Sequence, residues 1–288
     1  CGMGAEATAW LAEQAGEAER IVFAPAAGKQ GTATVHLTGV DGSANVAAID
    51  VVAAPGATFD LTVALDSPEA GTGVVGVQLR VFAGENAHVN ITSVHTLDEQ
   101  WTALDNTGIV CDEGAFVTVR HRMLGAGKSY TGLATDLAAN IDVRDFNYVV
   151  RHRGRKTQCN IDANGALMGQ SKKVLRGTID LVRGCKGAEG TERETVLLVD
   201  EQVENKTIPV ILCDEDDVAG NHGATIGHVA ADQLFYLKCR GLSQEAAEGL
   251  FATATLEETA LTIADETVRA GVARLAERLS IPYQEVED

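Results

Sequence analysis

The feature that most constrains this chain is the stretch between Ile21 and Val229, in which short runs rich in β-branched residues alternate with Gly, Asn and Asp. Runs such as TATVHLTGV, GVQLRVF and AHVNITSV alternate apolar and polar residues, which is typical of strands with one buried face. Helical periodicity is largely absent there, and only ALDNTG and GLATDLAANID are ambiguous. The pattern predicts a mainly β protein and is compatible with a sandwich, a barrel or a parallel β-helix.

A recurring small residue favours the β-helix among these three folds. Alternating runs open on Ala57, Ala87, Ala115 and Ala166, and the first gaps between them are nearly equal. Their length fits one rung of a solenoid or a pair of short rungs, and such self-similarity marks stacked repeat architectures. Similar turns also recur in sandwiches, so the spacing by itself leaves the three folds open.

Helical patterns lie at the two ends of the chain. Residues 5–20 contain helix-forming residues and an apolar stripe, which predicts a short leading helix. Residues 1–4 are interpreted as an expression remnant or an internal start. We therefore expect three regions: 1–20 with the N-terminal helix, 21–229 as the β core, and 230–288 as a C-terminal helical subdomain.

The C-terminal region has recognisable helix boundaries. Asp232 is placed to cap a helix over QLFYLKCR, Gly241 suits its left-handed end, and Ser243 is placed to cap a second helix. A longer third helix is predicted by an apolar stripe of Leu261, Ala264, Val268, Val272, Leu275 and Leu279. An apolar stripe of this kind most often packs on the core of its own protein, here the β core. The alternative is that it binds a partner protein.

Charge and composition exclude several classes of function. The 288 residues carry a formal net charge of −18, which repels nucleic-acid phosphates and anionic membrane surfaces. No apolar run approaches the ~20 residues of a membrane span, and the N-terminus lacks the basic and apolar regions of a signal peptide. We expect a cytoplasmic protein with neither nucleic-acid nor membrane partners. Its six cysteines are then reduced, and no CxxC pair indicates a zinc ribbon or a thioredoxin-type site.

The segment MLGAGKSYTG resembles the end of a phosphate-binding loop, but the resemblance is incomplete. The motif requires a glycine where this chain has Arg122, and we expect the preceding TVRHRM to be too polar for a central parallel strand. A turn between two strands explains GAGKS better, and we expect no nucleotide to bind this chain. The neighbouring triplet Arg120-His121-Arg122, like Arg151-His152-Arg153, projects its arginines to one face and its histidine to the other. We expect these basic clusters to pair with local carboxylates; the alternative is a role in a substrate channel.

The acidic run CDEDD, followed by a histidine, is the best candidate for metal chemistry. The Cys213 thiolate and the His222 imidazole suit iron, zinc or copper(I), and Glu215 and Asp217 offer accessory oxygens. The alternative is a solvated acidic turn beside a buried cysteine. No GxSxG motif or cysteine elbow indicates a hydrolase.

The stretch DDVAGNHGATIGHVAADQLFYLKCRGLSQEAAEGL resembles the C-terminal signature of the SufB/SufD family, the scaffold subunits of the SUF iron–sulfur cluster assembly machinery. The resemblance is carried by Asn221–Thr225, Asp232–Leu237, Arg240–Ser243 and Glu245–Ala246, and it is strongest over 205–255. It implies a right-handed parallel β-helix flanked by helices. It also implies that the C-terminal helices bind SufC, an ABC-type ATPase, and that two scaffold subunits pair near the ends of their β-helices.

The resemblance also indicates candidate site residues. His222 falls on the SufD-type histidine implicated in cluster assembly, whereas SufB-type chains have a glutamate at the position of Gly223. The SufB-type sulfur-accepting cysteine falls near Glu194, and Cys213 falls on another cysteine common in SufB-type chains. The chain is therefore identified as SufD-like, and it is expected to form a homodimer or a heterodimer with a SufB-type scaffold.

The function that follows is a non-catalytic scaffold that holds a transient iron–sulfur cluster of unspecified type, with the ATPase activity in its SufC partner. His222 and Cys213 are the expected iron and sulfur ligands, with Glu215 and Asp217 as accessories. The residues expected to contact the ATPase are Phe235, Tyr236, Arg240, Gly241, Leu242, Leu250 and Phe251. The alternative is a β-helix protein that cleaves or binds polysaccharide, which requires converging carboxylates on one exposed sheet.

Overall fold

The computed structural model describes residues 3, 5–16, 20–123, 127–137, 140–144, 147–167, 171–261 and 265–278. In chain order the elements are α1 (Ala5–Ala15), β1 (Ile21–Phe23), β2 (Gln30–Thr38), β3 (Ser43–Ala53), β4 (Thr58–Asp66), β5 (Gly73–Ala83), β6 (His88–Thr96), β7 (Trp101–Cys111), β8 (Phe116–Met123), β9 (Lys128–Leu137), β10 (Asn140–Arg144), β11 (Asn147–His152), β12 (Gln158–Leu167), β13 (Lys172–Leu181), β14 (Glu189–Leu198), β15 (Glu204–Cys213), β16 (Ala219–His228), α2 (Ala231–Cys239), α3 (Gln244–Leu261) and α4 (Glu266–Arg278). The chain therefore combines a long strand-rich body with helices near its two ends.

The strands form two parallel sheets that alternate along the chain. One sheet has the order β1-β3-β5-β7-β9-β11-β13-β15, and the other has the order β16-β14-β12-β10-β8-β6-β4-β2. Each pair of consecutive strands is thus one rung, with one strand in each sheet. This arrangement confirms the expected parallel β-helix and removes the sandwich and the barrel.

The corners of the solenoid explain the recurring alanines. Ala57, Ala87 and Ala115 each stand at a corner immediately before a strand of the second sheet, and all three are buried. The corners are linked by backbone hydrogen bonds from His88 N to Ala57 O and from Phe116 N to Ala87 O, both 2.8 Å long. A small side chain fits there because successive corners stack directly on one another. Ala188 is the later member of this series.

The prediction for Ala166 is wrong, because this residue lies near the end of β12 and opens no strand. One short rung disrupts the repeat before that point. Ile141 in β10 pairs with Val117 and with Cys159, which are offset by 24 and 18 residues, whereas Thr58 pairs with His88 at an offset of 30. The shortened rung shifts every later corner, so an even spacing cannot be extended through it.

The argument that TVRHRM is too polar for a central parallel strand is also wrong. These residues belong to β8, which lies between β6 and β10 in the second sheet. Arg120 and Arg122 are partly exposed, whereas His121 is buried in the interior, so the strand tolerates all three. Of the GAGKS segment, residues 124–126 lie outside the described residues, and Lys128 and Ser129 begin β9.

The core lies between the two sheets and consists mainly of inward-facing aliphatic residues. In β6, for example, Val89 and Ile91 are buried, and Asn90 between them faces outward. Helix α1 packs on β3 and β5 near the N-terminal end and buries Leu11 completely. The leading helix ends at Ala15, earlier than predicted, and residues 17–19 lie outside the described residues.

The helical boundaries partly agree with the sequence prediction. Ser243 Oγ accepts a hydrogen bond from Ala246 N at 3.0 Å, and Gly241 has a φ of 96°, so the predicted cap and stop are confirmed. The prediction for Asp232 is wrong, because the cap position of α2 is Ala230 and Asp232 lies in the first turn. The predicted long third helix is interrupted: α3 continues to Leu261, and α4 begins at Glu266.

Asp265 explains the start of α4 and its attachment to the solenoid. Its Oδ1 accepts hydrogen bonds from Thr267 N and Val268 N, and its Oδ2 accepts one from Thr34 Oγ1 in β2 at 2.7 Å. Val272 in this helix is fully buried. Part of the apolar stripe therefore packs on the β core, as in the commoner case. No helix within the described ranges is long and apolar enough to cross a membrane.

Candidate functional site

The C-terminal end of the solenoid is open. Strands β15 and β16 are the last members of their sheets, and every residue of β16 is exposed. An uncovered terminal rung leaves backbone hydrogen-bonding groups along its outer edge, and native proteins usually protect such edges. His222 lies in the middle of β16, at this open end.

The residue column that contains His222 changes character at this end of the solenoid. Successive partners along the second sheet are Leu61, Ile91, Val119, Val143, Ile161, Glu192 and His222. Leu61, Ile91, Val119 and Ile161 are buried aliphatic residues of this inward-facing column, and a carboxylate and an imidazole occupy its last two positions. His222 therefore faces the interior of the solenoid, and it is exposed because no further rung in the described part of the chain covers it.

Glu192 is buried directly beneath this histidine. Only 2% of its surface is exposed, and neither carboxylate oxygen has a hydrogen-bond partner among the described residues. Burial raises the pKa of Glu192 above its usual value, although the nearby His222 opposes this rise. A cavity of about 290 Å³ at this end is lined by Thr191, Glu192, Arg193, Asn221, His222 and Gly223.

Glu194, the next inward-facing residue of β14, has a different environment. It forms an ion pair with Lys173 and accepts hydrogen bonds from Thr207 Oγ1 and, at 3.4 Å, from Asn205 Nδ2. Burial would raise the pKa of Glu194, but the hydrogen bonds from Lys173 and Thr207 outweigh burial and lower it. This carboxylate, at the position expected for a sulfur-accepting cysteine, is thus a satisfied part of the core.

Cys213 also faces inward on the last rung, where it pairs with Leu181, and it is exposed at the end of β15. Its Sγ lies 3.2 Å from the backbone oxygen of Glu215. The Glu215 carboxylate accepts hydrogen bonds from Gly184 N and Asp216 N, which hold the acidic turn in place and lower the pKa of Glu215. Asp217 is exposed and lies 3.5 Å from Lys186 Nζ.

The structure does not join these candidates into one metal centre. No group of three or more histidine, cysteine, aspartate and glutamate side chains in the described part of the chain is arranged to hold a metal ion. His222 lies over Glu192 in the second sheet, whereas Cys213 lies at the acidic corner that follows the first sheet. Ligation by His222 and by Cys213 stays a prediction.

The other described cysteines are less suited to sulfur or iron chemistry. Cys111, Cys159 and Cys185 are buried, and burial raises the pKa of Cys111 and of Cys159 to about 12. A thiol with so high a pKa is protonated near neutral pH, and the thiolate is the nucleophile and the metal ligand. Cys213 and Cys239 are the exposed thiols within the described residues, and Cys239 lies at the end of α2.

A polar cluster buried in the middle of the solenoid was not predicted from the sequence. Asp105 is 1% exposed and accepts hydrogen bonds from Ser93 Oγ at 2.6 Å and from Thr107 Oγ1 at 3.0 Å. His95 Nε2 and His121 Nε2 lie 3.5 and 3.3 Å from its Oδ2. Burial opposes ionisation of Asp105, but His121 and His95 outweigh it and hold the pKa well below its usual range.

His121 and His152, the centres of the two RHR triplets, both face the interior. His121 Nδ1 lies 2.5 Å from Tyr148 OH, and His152 Nε2 lies 3.2 Å from Cys159 Sγ. Burial lowers the pKa of His152 to about 4, so this imidazole is neutral at physiological pH. The expected pairing of arginines with carboxylates holds for Arg151, whose Nε donates to Asp180 Oδ2 at 2.7 Å.

Comparison with known families decides which kind of protein this is. The family model for the SUF system FeS cluster assembly SufBD core domain matches residues 36–255, which include β16, α2 and most of α3. The chain belongs to the SufBD core family. The SufB/SufD resemblance inferred from the C-terminal signature is thereby confirmed.

Relatives of this SufBD protein are named for the same process. It is 24% identical over 177 residues to the iron–sulfur cluster assembly protein SufD of Bacillus subtilis, over 62% of this chain and 38% of the relative. It is 28% identical over 150 residues to a SufBD family iron–sulfur cluster assembly protein of Mycobacterium bovis, over 51% of this chain and 18% of the relative. A Staphylococcus epidermidis family member is 27% identical over 135 residues, 47% of this chain and 29% of the relative. The chain thus spans well under half the length of these relatives.

The helices after the last rung of the SufBD solenoid present the residues expected to contact a partner. Helix α2 buries none of its residues, and Phe235 and Tyr236 are 69% and 56% exposed. Arg240 and Gly241 are exposed, Leu242 is partly exposed, and the Arg240 guanidinium lies 5.0 Å from the centre of the Tyr236 ring. Leu250 is also exposed, whereas the side chain of Phe251 lies outside the described residues.

Sequence reasoning missed Glu192, Lys173 and the cluster around Asp105 because it searched for motifs among neighbours in the chain. The available signal was parity along a strand. In TERETVLL the glutamates at 192 and 194 share a face with Val196, which is an apolar position, so one face of that strand had to bury two carboxylates. The partners of Glu194 come from other strands, and the alternation within one strand does not identify them.

Proposed function

We propose that this protein is a scaffold subunit of the SUF machinery, on whose open solenoid end iron–sulfur clusters are assembled. Membership of the SufBD core family supports the process. The observation that carries the location is the replacement of an aliphatic interior column by Glu192 and His222 at an uncovered terminal rung. A column of this kind gains stability from apolar residues, so its polar ending indicates a function at that end.

His222 and Cys213 are the residues we propose to handle iron and sulfur. Imidazole is an acceptable ligand for iron and is more exchangeable than a thiolate, which suits a cluster that must leave. Thiolate is both the nucleophile for sulfane sulfur and the usual ligand of iron in clusters. Both side chains face inward on the last rung and are exposed, which supports access by a second subunit.

His222 and Cys213 lie in different sheets of the last rung, and pairing of two scaffold subunits at this end supplies the further ligands that one chain does not bring together. The terminal strands β15 and β16 leave backbone hydrogen-bonding groups available at the sheet edges, and such edges readily pair with another chain. A second subunit, either a copy of this chain or a SufB-type scaffold, then brings its own ligands to the site. The cluster is a transient cargo of this pair.

The ATPase partner is proposed to bind the helices that follow the last rung. Phe235 and Tyr236 are exposed aromatic residues of α2, and Leu250 is an exposed apolar residue of α3. Exposed aromatic residues are common anchors of protein interfaces. In this proposal an ABC-type ATPase of the SufC class supplies the nucleotide site, and this chain is not itself an enzyme. We propose that the assembly works in the cytoplasm.

Co-expression with the host's ABC-type ATPase tests the proposal as a whole. Affinity purification of the tagged scaffold is expected to recover the ATPase, and anaerobic reconstitution of the complex with ferrous iron and sulfide is expected to yield a protein-bound cluster with visible absorption. The double variant Phe235→Ala/Tyr236→Ala is expected to lose the ATPase. A complex that forms normally but never holds iron and sulfide would contradict the scaffold role.

A further inference from the structure

Two neighbouring inward-facing glutamates of β14 differ in their electrostatic compensation. Glu194 is paired with Lys173 and also accepts two side-chain hydrogen bonds, whereas both oxygens of Glu192 lack a hydrogen-bond partner among the described residues. The two carboxylates thus share one close ammonium group, that of Lys173, which Glu194 engages directly. A buried carboxylate without a partner is costly, so such a group calls for a specific explanation.

The absence of a side chain at Gly177 leaves space for this carboxylate. A Cβ atom added to Gly177, on the opposite sheet, would lie 2.6 Å from Cδ and from both oxygens of Glu192. Any residue with a side chain at position 177 would therefore displace the carboxylate. On its other side, Glu192 lines the cavity that His222 also lines. The Glu192 side chain therefore lies between Gly177 and this cavity.

We propose that Glu192 is a second ligand, beside His222, for the ferrous iron brought to this end of the solenoid. The inference rests on the proposed function and adds an oxygen ligand that comes from inside the protein. A carboxylate and an imidazole from adjacent strands are a donor set that suits ferrous iron, and they leave most coordination positions free. Those positions are available to sulfide and to ligands from the second subunit. The bound cation also supplies the positive charge that the two glutamates lack.

Anaerobic equilibrium dialysis of the protein against ferrous iron tests this assignment. The wild-type protein is expected to bind one ferrous ion per chain, and Glu192→Gln and His222→Ala are each expected to bind it at least about tenfold more weakly, the lower end of what loss of a metal-site group costs. Glu189→Gln is the matched control, because it removes one negative charge from an exposed position on the same strand. Its affinity is expected to equal that of the wild type.

A second variant fills the space at Gly177 that the Glu192 carboxylate occupies, and it removes no charge. Gly177→Ala is expected to weaken iron binding as Glu192→Gln does, and the melting temperature of iron-free Glu192→Gln is expected to be no lower than that of the wild type. Wild-type affinity in Glu192→Gln overturns the assignment, and so does a wild-type protein that binds no ferrous iron. Loss of binding together with a large fall in the melting temperature also overturns it, because it marks a structural role. The scaffold function fails separately, when the ATPase complex forms no cluster.

Discussion

The middle of the solenoid and its open end contain the same chemical groups in opposite states. In the middle, Asp105 accepts two hydroxyl hydrogen bonds and faces the imidazoles of His95 and His121, all of them buried. At the end, Glu192 has no hydrogen-bond partner within the described residues, and His222 lies exposed beside it. A buried network with all its hydrogen bonds made stabilises one fold, whereas a carboxylate without hydrogen bonds beside an accessible imidazole is suited to bind a ligand.

The largest effect on stability is expected for the buried cluster around Asp105, to which the comparison assigns a purely structural role. Asp105→Asn removes the buried negative charge that accepts hydrogen bonds from Ser93 Oγ and Thr107 Oγ1; hydrogen bonds to a charged group contribute about 1.5–3 kcal/mol each, so we expect a loss of about 3–5 kcal/mol of unfolding free energy. Urea unfolding measures this loss. Asp60→Asn, on an exposed position, is the control and is expected to change stability by less than about 0.5 kcal/mol. A loss below about 1 kcal/mol in Asp105→Asn would show that the central network is not structural.

Glu192 and Glu194 allow the same comparison between two residues of one strand, β14. Glu194→Gln leaves Lys173 buried without its carboxylate, so we expect a loss of about 3 kcal/mol in unfolding free energy. Glu192→Gln is expected to be neutral or stabilising in the absence of metal, because it removes a buried charge that has no hydrogen-bond partner. Equal losses in the two variants, measured by urea unfolding at pH 7, would erase the distinction between them.

The buried His152 predicts a defined dependence of stability on pH. Its folded-state pKa of about 4 lies below the unfolded value of about 6.5, so the unfolded state takes up the proton first as the pH falls. Its contribution is therefore complete above pH 6.5, decreases as the pH falls, and is lost below pH 4. Between pH 7 and pH 5 the loss is about 2 kcal/mol.

This dependence is measured by urea unfolding at several pH values. The difference in slope between the wild type and His152→Gln isolates the residue from the many surface carboxylates. His88→Gln, which replaces an exposed histidine, is expected to keep the wild-type slope. An NMR titration that places the pKa of His152 near 6.5 would refute the expected burial effect.

The smallest effect concerns the helices beyond the open end. Ser243→Ala removes the hydrogen bond to Ala246 N at the start of α3 and is expected to cost about 1 kcal/mol. Hydrogen exchange is expected to show faster exchange in the first turn of α3 and no change in the solenoid. Uniformly faster exchange would mean that α3 and the solenoid unfold as one unit. The variant would then say nothing about the end region alone.

The general fold could be predicted because each strand carries its own alternation, and the C-terminal signature specified the family. Ser243 and Gly241 were predictable as well, because capping depends on residues close in the chain. The register could not be predicted, since the short rung around Ile141 breaks the repeat that would have aligned distant strands. The pairings of Glu194 with Lys173 and of His121 with Asp105 were missed for another reason: each joins the two sheets across the interior, and the alternation within one strand does not show which residues of the opposite sheet it faces.

The candidate site was predicted only in part for the same physical reason. His222 was found because it lies within a continuous motif, whereas Glu192 reaches the same place from another rung, 30 residues earlier. Cys213 and the acidic run are close to His222 in sequence, but the corner between β15 and β16 directs Glu215 into its own turn. Distance along the chain was therefore a poor guide to distance in the solenoid.

The most direct test of the account is the activity of iron–sulfur enzymes in a host whose chromosomal copy carries His222→Ala. His228→Ala is the matched control, because His228 is an exposed histidine at the end of the same strand. The account predicts that His222→Ala lowers these activities to the level of a strain lacking the protein, while His228→Ala leaves them unchanged. Wild-type activities in the His222→Ala strain would contradict assembly at the open end.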